Sequence, residues 1–246
     1  TDEDEKALSF QLSAIYNYFS QKHSLSVELF HYHDVWNADY SGNCELWQHL
    51  WKGESLAFFS YNFQASRRLS LKTRIGLDWL QYHLHGDNSF SQLSPRINTN
   101  VQYQLNKGML LWSFNFVNSN HGMDVINRAM IQVNSHMMEK GMPELKKSHD
   151  INTYLYYMGR FNRLSVSAIG QFRYNHHPVT DDYYLDEANR KIVKTYSNGG
   201  NAQYYSAILA LQYKLCKFAN LSGDIRYSHA EVKLSLIHIS EPTRPY

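Results

Sequence analysis

Four groups of residues in this chain have types that could do chemistry. The thirteen histidines include two pairs spaced two apart, His31 with His33 and His83 with His85. On a strand such side chains point to the same face, so each pair could supply two ligands to a metal ion. A metal site also needs further donors and groups that orient them, and a histidine near a strand end serves equally as an amphipathic interfacial residue. His176 and His177, before Pro178, make a comparable loop pair. Ser148, His149 and Asp150 have the types of a nucleophile, base and orienter, but adjacent strand residues point in opposite directions and cannot form that relay. Arg74, Arg96, Arg173 and Arg226, with Asp78 and Asp224, recur on polar faces. They read as a solvated, mutually screened wall, some of it able to attract an anionic ligand. Cys44 and Cys216 are the only cysteines, far apart in sequence; a disulfide is open and two isolated thiols are the simpler reading. No catalytic, cofactor or metal residue is assigned, and the ligand-binding residues are unknown.

What would position these groups is a strict period of two. Leu69, Leu71, Thr73, Ile75, Leu77 and Trp79 alternate with Ser70, Lys72, Arg74, Gly76 and Asp78. Successive strand side chains face opposite ways, so one face suits lipid and the other water. The pattern returns in Leu8 to Tyr18, in Ile97 to Leu105 against Arg96 to Gln104, in Leu164 to Tyr174, in Ala207 to Tyr213 and in Leu221 to Tyr227. Repetition turns a weak signal per segment into a strong one. The expected fold is all-β, an antiparallel transmembrane β-barrel fragment of about ten strands, each of about ten to fourteen residues. A soluble β-sandwich or barrel also alternates, but its strands are usually shorter and its apolar face is the enclosed one.

Composition agrees. Mean hydropathy is -0.52, and no window approaches the roughly 20 apolar residues of a membrane helix. A membrane barrel tolerates low hydropathy because half of each strand faces water. The 19 Tyr, 12 Phe and 5 Trp suit interfacial girdles. With 24 basic and 22 acidic residues spread without blocks, nothing argues electrostatically for nucleic acid or for an acidic partner.

Short connectors fall at 21–23, 64–68, 106–108, 158–163 and 214–218 and long ones at 37–54, 83–94, 118–147 and 176–201. Outer-membrane barrels have this asymmetry, with short periplasmic turns and long extracellular loops. On that assignment the acidic opening Asp2 to Glu5 is the stub of an extracellular loop. The 176–201 connector has room for a small hairpin, Tyr183 to Leu185 against Ile192 to Tyr196. Recognition is expected in the two longest loops. One barrel domain is expected over 1–233. The stretch Leu234 to Arg244, LSLIHISEPTR, looks like translated sequencing adapter, so 234–246 is expected to be a non-native tail and the chain a fragment cut at both ends.

Gly141, Met142, Pro143, Glu144, Leu145 and Lys146 precede a strand rich in alternating aromatics, Ile151 to Tyr157. Ser94, Pro95 and Arg96 open another strand, and Asn198, Gly199, Gly200 and Asn201 close a long loop. In these features Lys6 to Lys233 resembles the barrel of a TonB-dependent outer-membrane receptor of the Bacteroidetes type. Family members often carry G-N-P-x-L-K-P, and the match is partial, since this chain has Met142 for the usual Asn and Lys147 for the usual Pro. The resemblance implies a barrel of about 22 strands around an N-terminal plug, through which an inner-membrane energy complex admits a scarce nutrient. It also implies an outer-membrane location, contact with lipid, a small-molecule or oligomeric nutrient ligand, and contact with the energy complex only through a plug this chain lacks. The alternatives are a passive porin and a barrel enzyme such as a protease or lipase; the second would need an acid, base or nucleophile cluster at one rim.

Overall fold

A computed structural model describes residues 2–41, 46–86, 89–119, 122–188 and 190–233. In chain order the elements are β1 (Asp2–Phe19), β2 (His23–Ser41), β3 (Leu46–Gln64), β4 (Leu69–Leu84), β5 (Phe90–Leu105), β6 (Gly108–Ser119), the single-turn helix α1 (Met123–Ile126), β7 (Ile131–Gln132), β8 (Met137–Glu139), β9 (Ser148–Phe161), β10 (Leu164–His176), β11 (Val179–Asp186), β12 (Lys191–Asn198), β13 (Asn201–Lys214) and β14 (Asn220–Lys233). Ten of the strands form one sheet in the order β1-β2-β3-β4-β5-β6-β9-β10-β13-β14. Every neighbour is antiparallel, and the five short turns fall where the sequence places them.

The alternation sorts side chains as expected. On β4, Ile75 and Leu77 are 51% and 50% exposed on the outer face, while Asp78 on the inner face is fully buried. Leu209 and Leu211 of β13 are likewise exposed on the outer face. Gly76 sits on the inner face of β4 opposite Phe58 of β3. A Cβ there would lie 2.2 Å from the Phe58 ring, so only glycine lets that ring lie across the neighbouring strand. The Arg74 guanidinium stacks on the same ring, 3.8 Å from its centroid.

Three expectations are corrected. The wall strands run to 19 residues in β2 and β3, longer than the ten to fourteen read from sequence. Residues assigned to loops at 37–54 and 83–94 are largely strand: β2 continues to Ser41, β3 begins at Leu46, β4 continues to Leu84 and β5 begins at Phe90. Ladder partners hold these polar and aromatic ends in extended form where local pattern reads loop. The acidic opening is likewise part of β1, with Asp4 opposite Asp39 and Glu5 opposite Ala38. Cys44 and the 234–246 tail lie outside the described residues, and Cys216 is a free, exposed thiol in the last turn.

The face assignment has a direct test. In the full-length protein folded in lipid, Val101→Arg, on the outer face of β5, is expected to cost about 2–4 kcal/mol. Gln102→Arg, on the inner face of the same strand, is expected to be nearly neutral. Denaturant titration of both variants measures the difference, and equal costs would reverse the assignment.

Candidate functional site: an ion-paired wall under a two-loop cap

Register across the sheet brings the inner-face charges into pairs. Arg74 on β4 reaches Glu28 on β2 at 2.5 Å across the intervening β3, and Ser60 of β3 donates to the same carboxylate at 3.2 Å. Arg96 on β5 donates to Asp78 Oδ2 through Nε at 3.0 Å and Nη2 at 2.5 Å, and through Nη2 to Glu54 at 3.2 Å. Arg173 on β10 holds Asp150 on β9 with bonds of 2.8 and 2.5 Å. Arg226 and Asp224 pair along β14 at 2.6 Å. Each arginine singled out from sequence therefore has a carboxylate partner, and the wall is screened rather than one-signed. Lys147, buried where the long loop enters β9, bonds Ser94. Burial lowers the pKa of its ammonium, and the nearby Asp78 carboxylate opposes that shift.

Above this wall the inner face turns apolar. Trp36, Ala38 and Tyr40 of β2, Leu50 of β3, and Leu80, Tyr82 and Leu84 of β4 are buried together with Ile126 and Ala129 from the 120–147 connector. Fully burying a side chain such as Leu or Ile is worth about 1.5–3 kcal/mol, enough in sum to hold a long loop against its entropy. Polar contacts fix the register of the cap. Asn127 donates to the Tyr40 hydroxyl at 2.9 Å, and Tyr82 donates to the carbonyl of Pro143 at 2.8 Å. Gly141 and Met142 donate to the carbonyls of Asn127 and Val125 at 2.7 and 2.6 Å. A Cβ on Gly141 would lie 2.3 Å from the Asn127 carbonyl oxygen, which explains the glycine of the 141–146 motif by close approach.

The two longest loops fold together, which the sequence did not reveal. β11 and β12 form the hairpin expected in the second loop, with Tyr184 opposite Val193. β12 then pairs in parallel with β8 of the first loop, making a four-stranded sheet in the order β11-β12-β8-β7. Asn198 closes the joint: its side chain accepts from the Lys146 N–H at 2.6 Å and donates to the Lys146 carbonyl at 2.9 Å. Tyr196 and Lys194 of β12 both donate to Glu139 of β8, at 2.6 and 3.1 Å. The Tyr196 hydrogen bond, aided by Lys194, holds the Glu139 carboxyl below its ordinary 4.5. Burial and the same hydrogen bond push Tyr196 up to about 12, and the bond to Glu139 raises the Lys194 ammonium. A cleft of about 280 Å³ opens between the motif turn and this sheet, beside Arg128, Lys140, Glu144 and Tyr184. That is below the usual size of a small-molecule site.

The His31/His33 and His83/His85 pairs lie apart from this site, whereas the His177 carbonyl accepts from Asn198 at 3.2 Å. His31 and His33 face outward, His31 bonded to Ser55 at 2.9 Å and His33 stacked near Phe10 and Trp51 at 5.0 and 5.8 Å. His83 bonds Ser89 at 3.1 Å, and His85 meets the Trp47 ring at 4.7 Å. Their partners are those of interfacial aromatic residues. The His176 and His177 rings lie 3.9 Å apart, and no group of three or more His, Cys, Asp or Glu is placed to hold a metal among the described residues. Ser148 bonds Asn175 and Asp150 holds Arg173 on the inner face, while His149 bonds Asn118 on the outer one.

No protein-family model matches the chain, and no curated protein matches it. Solved structures do. The copper transporter OprC aligns with 94% of this chain at a TM-score of 0.70 and 11% identity. The FrpB iron transporter from Neisseria meningitidis aligns with 96% at 0.65 and 10% identity, and the ferric-catecholate import receptor Fiu from E. coli K12 with 94% at 0.60 and 12% identity. At these identities the likeness is one of fold: this chain has the fold of a segment of a transmembrane β-barrel. It spans 38% of the length of each of those three chains.

Two outcomes are expected of the cap. Asn198→Ala removes both bonds to Lys146 and should speed amide exchange in the 141–147 turn about tenfold, with the exchange of β4 and β5 unchanged. The Glu139 contribution is present above 4.5 and is lost as pH falls through its lowered value. Those of Tyr196 and Lys194 are present below their ordinary 10.0 and 10.5 and are lost as pH rises through the raised values. Exchange protection of the β8–β12 amides, corrected for intrinsic rates, should therefore be greatest between about pH 5 and 10 and fall on either side.

Proposed function

We propose that this chain is part of the barrel wall of a TonB-dependent outer-membrane receptor, an energy-coupled importer of a scarce nutrient. The observation that carries the proposal is the two-loop cap seated in the mouth of a screened, polar inner wall, in a chain of which 94% aligns with a copper transporter. An open porin has no use for an apolar plug of Trp36, Tyr82, Leu84 and Ile126 across one side of its mouth. The aligned structures named above are transporters and receptors of metals or metal chelates, which favours a scarce metal or its chelate as cargo. The 141–146 motif supports the Bacteroidetes type within the family, and the outward Leu, Ile and aromatic side chains are where outer-membrane lipid would lie. The tail after Lys233 is taken as adapter-derived; genomic codons for Leu234 to Arg244 that differ from adapter would establish it as native.

Uptake separates importer from porin. A strain carrying the full-length gene as its sole route for a labelled metal chelate is expected to lose accumulation when a protonophore collapses the inner-membrane gradient. A porin would keep equilibrating the same chelate across the outer membrane, and that result would overturn the energy-coupled reading.

A further inference from the structure

The edge of the sheet opposite the cap has its own chemistry. All five short turns lie there, and the stretches 17–26, 60–72, 102–112, 156–167 and 210–222 contain nine Lys or Arg and no Asp or Glu. Arg67 and Arg68 sit in the second turn and Lys107 in the third. Arg160 and Arg163 flank the fourth, and Lys214 and Lys217 the fifth. All of these side chains are exposed. The nearest acids along the wall, Glu28 and Asp224, are held by Arg74 and Arg226. Outside these stretches the chain carries 15 Lys or Arg against 22 Asp or Glu, so positive charge is concentrated at this edge even though the net charge is only +2.

The outward face next to these turns carries aromatic rings. Tyr61 and Phe63 end β3, Tyr103 lies near the end of β5, Phe161 ends β9 and Tyr213 lies near the end of β13. Phe218, in the last turn, is 97% exposed. Rings on the lipid-facing side followed by a fringe of bases reproduce the depth order of a bilayer surface, where aromatic residues sit at the headgroup level and cations meet the phosphates.

We propose that this short-turn rim is a docking surface for the anionic phosphodiester headgroups of the lipid leaflet it abuts. The proposal rests on the membrane reading given above. The spacing favours lipid over an acidic protein: every one of the five hairpins contributes a base, spread along the whole edge beneath the aromatic belt, as contact with a surrounding leaflet requires. A protein partner would engage one local cluster. Charges farther than a Debye length, about 8 Å at physiological salt, are screened, which suits turns that lie against the surface.

The test uses the full-length protein and a variant carrying Arg67→Gln, Arg68→Gln, Arg160→Gln, Arg163→Gln, Lys214→Gln and Lys217→Gln. Both are folded into phosphatidylcholine vesicles and into phosphatidylcholine vesicles containing phosphatidylglycerol, and the urea midpoint of unfolding is read. The wild type should shift to a higher midpoint with phosphatidylglycerol, the shift should vanish at high salt, and the variant should show none. A second variant with only Lys214→Gln and Lys217→Gln should show a reduced shift, and it keeps the test decisive if the sixfold variant does not fold. Equal responses of wild type and variants, or no response from the wild type, would overturn the proposal. So would inorganic phosphate raising the midpoint in pure phosphatidylcholine as much as phosphatidylglycerol does, which would mark a site for a free anion. Insertion into pure phosphatidylcholine with no response to phosphatidylglycerol defeats this proposal alone; failure to insert into either vesicle defeats the membrane reading and this proposal together.

Discussion

In hydrocarbon there is no water to satisfy a peptide group, so every N–H and C=O must find a partner in the protein. The rest of this structure follows from that constraint. Eight of the ten strands meet it by pairing on both sides in an unbroken antiparallel series, with β1 and β14 each paired to one neighbour, and with the backbone engaged in the plane of the sheet the side chains are left to address two solvents. Period two then becomes a division between lipid on one face and a polar wall on the other. The wall can afford charge only because the register that closes the ladder also sets acid beside base, as it does for Glu28 and Arg74 across three strands.

How far the sequence discloses this depends on whether the cause is local. The alternation of Leu69 to Trp79 and the short turns are local, and both survive in the structure with little change. The ends of β2 to β5 are less legible. Their mix of Trp, His, Asn and Gly has no clear period, and they are extended because a neighbouring strand holds them, as Trp47 is held opposite Asp39. The apolar stretch Leu80, Tyr82, Leu84 falls on the face that should be polar. Its reason is Ile126 and Ala129, which come from a loop dozens of residues later. The screened wall was legible as a mixture of signs, but the pairing was not, since partners such as Arg96 and Glu54 stand 42 residues apart in sequence. The 141–146 motif stood out in the sequence before its physical role, a turn packed against Asn127, could be seen.

Charge shows how a sum can conceal an arrangement. A balance of 24 bases and 22 acids reads as unremarkable, because a chain that runs up and down a barrel visits both ends repeatedly and averages them. Only once the turns are stacked on one side does the absence of acid there emerge, with the acids gathered in the wall and cap. An antiparallel meander is the topology most able to hide a concentration of charge at one edge in a linear sequence.

The parallel pairing of β8 with β12 has a mechanical consequence. These strands belong to loops separated by the whole β9–β10 hairpin, yet Ile192 and Met137 stand side by side and Asn198 fastens the far end. Two flaps joined in this way have one degree of freedom, so neither can lift without shearing the ladder or carrying the other with it. A displacement of either leaf is therefore transmitted to the other.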